Sequence, residues 1–167
     1  ITRYIGKHQE NNAQLVELID LDFGKPDQRL LLGVEPEHYL EDVFYQHPEK
    51  FKWDLLRQDT PIDSLNFISS SPVRKSNSMY YQKKNEILYM VHNSNAHIKL
   101  ADFGGGSDKD TLDFLSNIKS KVFVINPDRA SVEAVFNLIL SLLYYPMKKR
   151  FKSSGKAMDA VEKFRNS

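Results

Sequence analysis

The chain has 167 residues, of which 41% are hydrophobic and 27% are charged, with a formal net charge of +1. These values predict about one globular domain with a buried core. Cysteine is absent, which excludes disulfides and thiolate metal sites and fits a reducing compartment. Because no run of about eighteen uninterrupted apolar residues occurs, we expect no membrane-spanning segment.

Apolar runs alternate with segments of helical spacing along the chain. The runs predict strands at residues 15–19, 65–69, 98–101 and 122–125. Helices are predicted at 37–46, 50–58, 79–91, about 109–116 and 131–145, and Pro146 is expected to end the last one, which we expect to be largely buried. Strands that are apolar throughout and separated by helices indicate a three-layer α/β fold with a mostly parallel sheet flanked by helices.

Two carboxylates, Asp20 and Asp22, follow the first predicted strand. Alternate residues of an extended segment share a face, so these acids can converge on one site. Two close carboxylates repel each other and are stabilised by a cation, which predicts Mg²⁺ or a phosphate-bound metal. The alternative is that one acid caps a helix and the other is solvated.

A third carboxylate, Asp102, connects the strand at 98–101 to a loop of three consecutive glycines, 104–106. An acid in this position can orient metal-bound water, and glycines allow main-chain N–H groups to approach a γ-phosphate. An ordinary strand-to-loop turn is the alternative. In parallel sheets ligands bind at the carboxyl ends of the strands, where we expect Asp20, Asp22, Asp102 and Asn126.

Three segments, at 20–43, 101–114 and 126–134, contain motifs in a recognisable order. Asp20-Leu-Asp-Phe-Gly24 precedes Gly33-Val-Glu-Pro36, Ala101-Asp-Phe-Gly-Gly-Gly106 comes next, and Asn126-Pro-Asp-Arg-Ala-Ser131 follows. Together they resemble the MinD/ParA-like ATPases with a deviant Walker A loop, especially the FlhG-like branch. The resemblance covers about residues 15–150, which we interpret as a partial nucleotide-binding domain, with 151–167 as a basic C-terminal helix or tail.

The resemblance implies a switch that depends on Mg²⁺ and ATP. ATP closes a face-to-face dimer, hydrolysis reopens it, and the cycle positions flagellar, division or partitioning machinery. By this resemblance Asp22 orders the attacking water, Asp20 lies beside the metal, and Asp102 holds Mg²⁺ through water.

The same resemblance assigns roles to two glycines and to a later loop. Gly105 or Gly106 would present backbone N–H groups to the γ-phosphate. Asn126 and Pro127 would begin a loop near the nucleotide. In such sites catalysis is mostly positioning and charge stabilisation.

The 167 residues contain no G-x-x-x-x-G-K-[ST] loop. That loop and the family's first strand are expected ahead of residue 15, so we expect the sheet to lack this strand and the chain alone to show no ATP turnover. Two interpretations remain: part of an ATPase, or a degenerate, non-hydrolysing relative that serves as a protein-binding scaffold. Phe103 and Lys25, which depart from the family pattern, are compatible with the scaffold.

Positive charge is concentrated near the C-terminus, where residues 146–167 contain seven basic and two acidic side chains. Such a segment can contact an anionic membrane or nucleic acid through residues 148–165, or it is a solvated helix end favoured by the helix dipole. The expected partners are a second copy of the chain or a regulatory protein. The expected location is the cytoplasm, at or near the inner face of the membrane.

Overall fold

A computed structural model describes residues 14–42, 52–73 and 81–165. The chain divides into two compact units, residues 1–106 and residues 107–167, called the first and second unit below. The domain boundary expected at residue 150 remains a prediction.

The first unit contains an open, four-stranded sheet flanked by helices. Its elements in chain order are β1 (Val16–Asp20), α1 (Gln28–Leu32), a 3₁₀ helix (Trp53–Leu56), β2 (Gln58–Asp59), β3 (Leu65–Ser69), α2 (Tyr81–Asn93) and β4 (Ile98–Asp102). The strand order is β2-β3-β1-β4. Strands β3, β1 and β4 are parallel, and β2 is antiparallel to β3. The predicted fold class, a mostly parallel sheet flanked by helices, is confirmed.

The core of the first unit is built on its two central strands. Every residue of β1 is buried, and four of the five residues of β3 are buried. Val16, Leu18, Leu65 and Phe67 form one apolar cluster. Burial on both faces of the sheet explains why apolar residues predominate in these strands, although β1 also buries Glu17.

The second unit is helical in the residues described. It contains α3 (Lys109–Asn117), α4 (Arg129–Phe151) and α5 (Gly155–Arg165). The Asp128 carboxylate accepts a hydrogen bond from the Ser131 N–H at 2.9 Å, which caps the start of α4. Tyr145 donates its hydroxyl proton to Asp113 of α3 at 2.6 Å, and Lys148 pairs with Glu162 of α5 at 3.5 Å. Helix α4 therefore packs against both of its neighbours.

The strand predicted at residues 122–125 is wrong. Residues 120–126 have neither helical nor strand pairing, and Val122 and Val124 are exposed. An extended segment becomes a strand only when a neighbour satisfies its backbone groups. In the described part of the second unit, the other regular elements are helices, so this segment has no strand to pair with.

Two expectations about α4 are also wrong. The helix continues through Pro146 to Phe151, and none of its residues is buried. Tyr145 and Lys148, on either side of the proline, contact α3 and α5, and the helix continues although Pro146 donates no main-chain hydrogen bond. By length and composition alone, α4 is apolar enough to cross a membrane, although the sequence has no uninterrupted apolar run.

Two predicted helices in the first unit are only partly described. In place of the helix expected at 50–58, the structure has the 3₁₀ helix followed by β2. The helix expected at 37–46 is not formed over residues 37–41, and residues 43–46 lie outside the described part. Helix α1 was not predicted; its five residues end at Leu32 and are followed by Gly33, which has a φ of +65°.

Candidate functional site

The first feature of the site is the register between the neighbouring strands β1 and β4. Asp20 ends β1 and Asp102 ends β4, and their Cα atoms are partners in the parallel ladder. The Leu21 N–H donates to the Asp102 carbonyl oxygen at 2.7 Å, which extends the pairing one residue further. The carboxyl ends of two strands thus bring together two of the predicted acids.

Gln28 connects these two carboxylates. Its main-chain N–H donates to Asp20 Oδ2 at 3.2 Å, and its side-chain amide donates to Asp102 Oδ2. Sequence reasoning missed Gln28 because it lies eight residues beyond Asp20, on a short helix without an apolar repeat. No local pattern in the sequence indicates this role.

Asp22 shapes the loop that follows β1. Its Oδ1 accepts hydrogen bonds from the N–H groups of Gly24 at 3.0 Å and Lys25 at 2.9 Å. Its Oδ2 lies so close to Gly104 that a Cβ built there would be 2.0 Å away. Gly104 also has a φ of +61°, a conformation that residues with a side chain rarely adopt.

Ser70, directly after β3, holds the loop that follows β1 through two hydrogen bonds. The Ser70 N–H donates to the Asp20 carbonyl oxygen at 3.1 Å, and its hydroxyl donates to the Asp22 carbonyl oxygen at 3.1 Å. Ser70 is fully buried. The signal in the sequence is the run of three serines, 69–71, at the end of the strand.

Asp102 and Asp22 lie close enough to Asp20 to influence its charge. The pKa of Asp20 is raised to about 7, mainly by burial, with the negative charges of Asp102 and Asp22 acting in the same direction and the two main-chain hydrogen bonds opposing the rise. A carboxyl group that shares a site with two others and lies out of water resists ionisation. A cation at this site would favour the ionised form.

This shift predicts that stability falls as the pH rises. Between its unfolded pKa of 3.8 and its folded value of about 7, Asp20 binds more protons in the folded state, so ionisation at higher pH opposes folding. We expect the free energy of unfolding to decrease by about 1–2 kcal/mol from pH 5 to pH 8 through this group. Urea denaturation at several pH values should show a smaller slope for Asp20→Asn than for the wild type.

The control for this measurement is Asp63→Asn. Asp63 is an exposed carboxylate just before β3, away from the carboxyl ends of the strands. Its substitution should leave the pH slope unchanged. Equal slopes for the wild type and Asp20→Asn would contradict the assignment.

The described acids do not form a cage of direct metal ligands. Among the described residues, no group of three or more Asp, Glu, His or Cys has the arrangement of a metal site. Both oxygens of Asp20 and both of Asp102 accept hydrogen bonds from N–H donors. Mg²⁺ usually keeps several of its waters, and carboxylate oxygens with a spare lone pair can accept from such waters. The role of Asp20 and Asp102 in holding Mg²⁺ through water remains a prediction.

The remaining predicted residues fall in two places. Gly105 belongs to the turn after β4, and a Cβ built on it meets nothing within 4 Å, whereas Gly106 is half-buried. Asn126 and Pro127 are exposed and belong to the second unit, directly before α4. Their proximity to a nucleotide remains a prediction.

Comparison with solved structures identifies the type of fold. The chimerical protein CapA2B2 has a TM-score of 0.61 and 15% identity, covering 84% of this chain and 62% of its own. The cell division ATPase MinD of Pyrococcus furiosus has a TM-score of 0.61 and 16% identity, covering 96% of this chain and 70% of its own. The chain thus spans about two thirds of the length of these proteins.

These similarities show the fold, and at this level of identity only the fold. The chain has a MinD-like α/β fold. Neither a family model nor a curated protein matches the sequence.

Proposed function

We propose that the chain is part of a MinD/ParA-like ATPase, of the FlhG-like type, that acts as a nucleotide-dependent dimerisation switch in spatial positioning. The observation that carries the proposal is the register of Asp20 and Asp102 at the carboxyl ends of adjacent parallel strands, with Asp22 against the glycine loop. The MinD-like fold supports it. Acidic side chains at this edge of an α/β sheet are suited to a metal-bound phosphate ligand.

Each acid has a separate role in this proposal. Asp102 and Asp20 would hold a Mg²⁺ ion through its waters, and the ion would neutralise charge on the phosphates. Asp22, held by the N–H groups of its own loop, orients the attacking water. Gly105 and Gly106 offer main-chain N–H groups to the γ-phosphate, because a loop without side chains permits close approach.

Two further roles follow from the same proposal. Asn126 and Pro127 begin the loop beside the nucleotide. Self-association or a regulatory protein provides the output of the switch, in the cytoplasm or at the inner face of the membrane. The basic segment at 148–165 makes weak contact with anionic lipid or nucleic acid.

A scaffold without hydrolysis is the second candidate function. The observation that favours it is that the carboxylates of Asp20, Asp22 and Asp102 all accept hydrogen bonds from nearby N–H groups. A loop that is satisfied in this way holds its shape without a ligand. Such a protein would use the same face to bind a partner.

Turnover measurements test the proposal. We expect the 167-residue chain alone to release no phosphate from ATP, because it contains no loop that grips the β- and γ-phosphates. We expect a longer chain that includes the residues encoded upstream to contain a glycine-rich loop ending in Lys-Thr or Lys-Ser, and to hydrolyse Mg-ATP. In that chain Asp102→Asn and Asp22→Asn should each lower kcat by about a hundredfold or more.

The control in the longer chain is again Asp63→Asn, which should leave kcat unchanged. An upstream region without such a loop, together with no binding of Mg-ATP, would favour the scaffold. Turnover that does not change in Asp102→Asn would contradict the assigned roles.

A separate experiment tests the basic segment. Binding to anionic vesicles or DNA that persists when Lys148, Lys149, Arg150 and Lys152 become Ser would exclude its proposed contact.

A further inference from the structure

Gln28 takes the one oxygen of Asp20 and of Asp102 that is not used by the loop after each strand. Asp20 Oδ1 accepts a hydrogen bond from the Asp22 N–H at 3.1 Å, and Asp102 Oδ1 accepts one from the Gly104 N–H at 3.0 Å. The Oδ2 atoms accept from Gln28 instead, through its main-chain N–H for Asp20 and its side-chain amide for Asp102. A single residue of α1 therefore holds both acids.

The two contacts of Gln28 differ in how easily they can be broken. Its main-chain N–H belongs to the first turn of α1, so that contact with Asp20 can be lost only if the backbone moves. The side-chain amide can leave Asp102 by rotation about its own torsion angles. None of the five residues of α1 is buried, so this rotation exposes no apolar core. The contact with Asp102 is therefore the movable one.

The charge of the acids has no positive partner in this state. Within residues 14–42, 52–73 and 81–165, no Lys, Arg or His pairs with Asp20, Asp22 or Asp102. The two basic side chains nearest in sequence, those of Lys25 and Arg29, pair with other acids.

A carboxamide cannot supply the missing charge. The Gln28 amide is neutral, so it satisfies the hydrogen bonding of Asp102 and leaves the charge of the acids uncompensated. A divalent cation would compensate this charge and favour the ionised carboxylates. The amide is thus a weaker partner than a cation, but it is part of the chain and always present.

We propose that the Gln28 carboxamide closes the acidic site while it is empty and competes with a divalent cation for Asp102. Binding of the cation displaces the carboxamide from Asp102 Oδ2, and the carboxamide returns when the cation leaves. This inference rests on the proposed function, because it assumes the metal role of Asp20 and Asp102. It adds a contact within the chain that regulates the occupancy of the site.

Competition couples the affinity for the cation to the stability of the chain. If Gln28 holds Asp102 only in the empty site, its amide stabilises the empty protein more than the cation-bound protein. A variant without the amide then binds the cation more tightly, and it loses less stability when the cation is bound than when it is absent. A purely structural contact would stabilise both states equally and leave the affinity unchanged.

Binding of Mn²⁺ alone to the 167-residue chain, measured by electron paramagnetic resonance of the free ion, tests the competition. The titration is made at about pH 8, above the pKa of Asp20 of about 7. Gln28→Ala and Gln28→Met should each lower the dissociation constant by about tenfold, because a hydrogen bond to a charged group no longer opposes binding. Methionine keeps the length of the side chain but cannot donate.

Two further variants serve as controls for the titration. Leu31→Ala changes a 79% exposed side chain on the same helix and should leave the dissociation constant unchanged. Asp102→Asn should abolish binding, which assigns the signal to this site. In urea denaturation, Gln28→Met should have a lower midpoint than the wild type without Mn²⁺, and the difference should disappear at saturating Mn²⁺.

Four outcomes would overturn the inference. Equal dissociation constants for the wild type and both Gln28 variants would do so, while loss of binding in Asp102→Asn would still support the metal role of Asp102. A stability difference for Gln28→Met that is the same with and without Mn²⁺ would show a structural contact only. The third outcome is Mn²⁺ binding that persists in Asp102→Asn, and the fourth is no binding by either Gln28 variant up to about 10 mM. The proposed function is decided separately, by turnover of the longer chain.

Discussion

Glu17→Ala should destabilise the first unit by about 3–5 kcal/mol. Glu17 is fully buried in β1, and Arg57 Nε donates to its Oε1 at 2.7 Å. Ser94 donates its hydroxyl proton to Oε2 at 2.8 Å, and the Trp53 indole N–H lies 3.3 Å from Oε1. Removal of the carboxylate leaves the guanidinium of Arg57, which is largely buried, without its main counter-charge.

Urea denaturation followed by circular dichroism measures this loss. The matched control is Asp54→Ala, because Asp54 pairs with the same Arg57 at 2.5 Å but is 75% exposed. That substitution should cost less than about 1 kcal/mol. Similar losses for Glu17→Ala and Asp54→Ala would show that burial does not decide the strength of this network.

Gly104→Ala should cost about 2–4 kcal/mol of stability. An added Cβ would lie 2.0 Å from Asp22 Oδ2, and the φ of +61° disfavours any residue with a side chain. Asp22 would have to move, and its hydrogen bonds to the N–H groups of Gly24 and Lys25 would be lost. The midpoint of urea denaturation should therefore decrease.

Gly105→Ala is the control for this substitution, with stability as the readout. A Cβ at Gly105 meets nothing within 4 Å, so its cost should stay below about 1 kcal/mol. The double variant Gly104→Ala with Asp22→Ala separates the two causes. It removes the clash and retains the backbone strain, so the additional cost of the Gly104 change should be smaller in the Asp22→Ala background. An equal cost in both backgrounds would contradict the contact.

The two glycines have different reasons for their place in the loop after β4. From the sequence, the glycines were explained by approach of a phosphate. In the structure Gly104 is required by a carboxylate of the chain itself, and Gly105 is the position that remains open. A ligand that approaches the loop would thus meet Gly105 more freely than Gly104.

Much of the first unit was predictable because its signals are local. The mostly apolar runs at 65–69 and 98–101 agree with β3 and β4 to within one residue, although β3 is largely buried and β4 is half-buried. Helical spacing located α3 to within one residue and the end of α2 to within two residues. The signal was strong where a segment's own residues decide its conformation.

The predictions from the sequence fail where the conformation of a segment depends on a neighbouring segment. Residues 122–125 have the composition of a strand but lie beside no strand in the described part of the second unit. Pro146 should end a helix, yet α4 continues through it, and Tyr145 and Lys148 on either side contact α3 and α5. Partners of this kind are distant in the chain and leave no trace in local periodicity.

The sequence by itself determined the chemistry of the candidate site: two acids after one apolar run, a third before three glycines, and an order of motifs that resembles a family of ATPases. Only the tertiary structure decided how these groups meet. The parallel register pairs Asp20 with Asp102, Gln28 connects them, and Asp22 packs against Gly104. The physical reason is that residue type and spacing fix which conformations a segment can adopt, whereas register, burial and charge coupling depend on segments far apart in the chain.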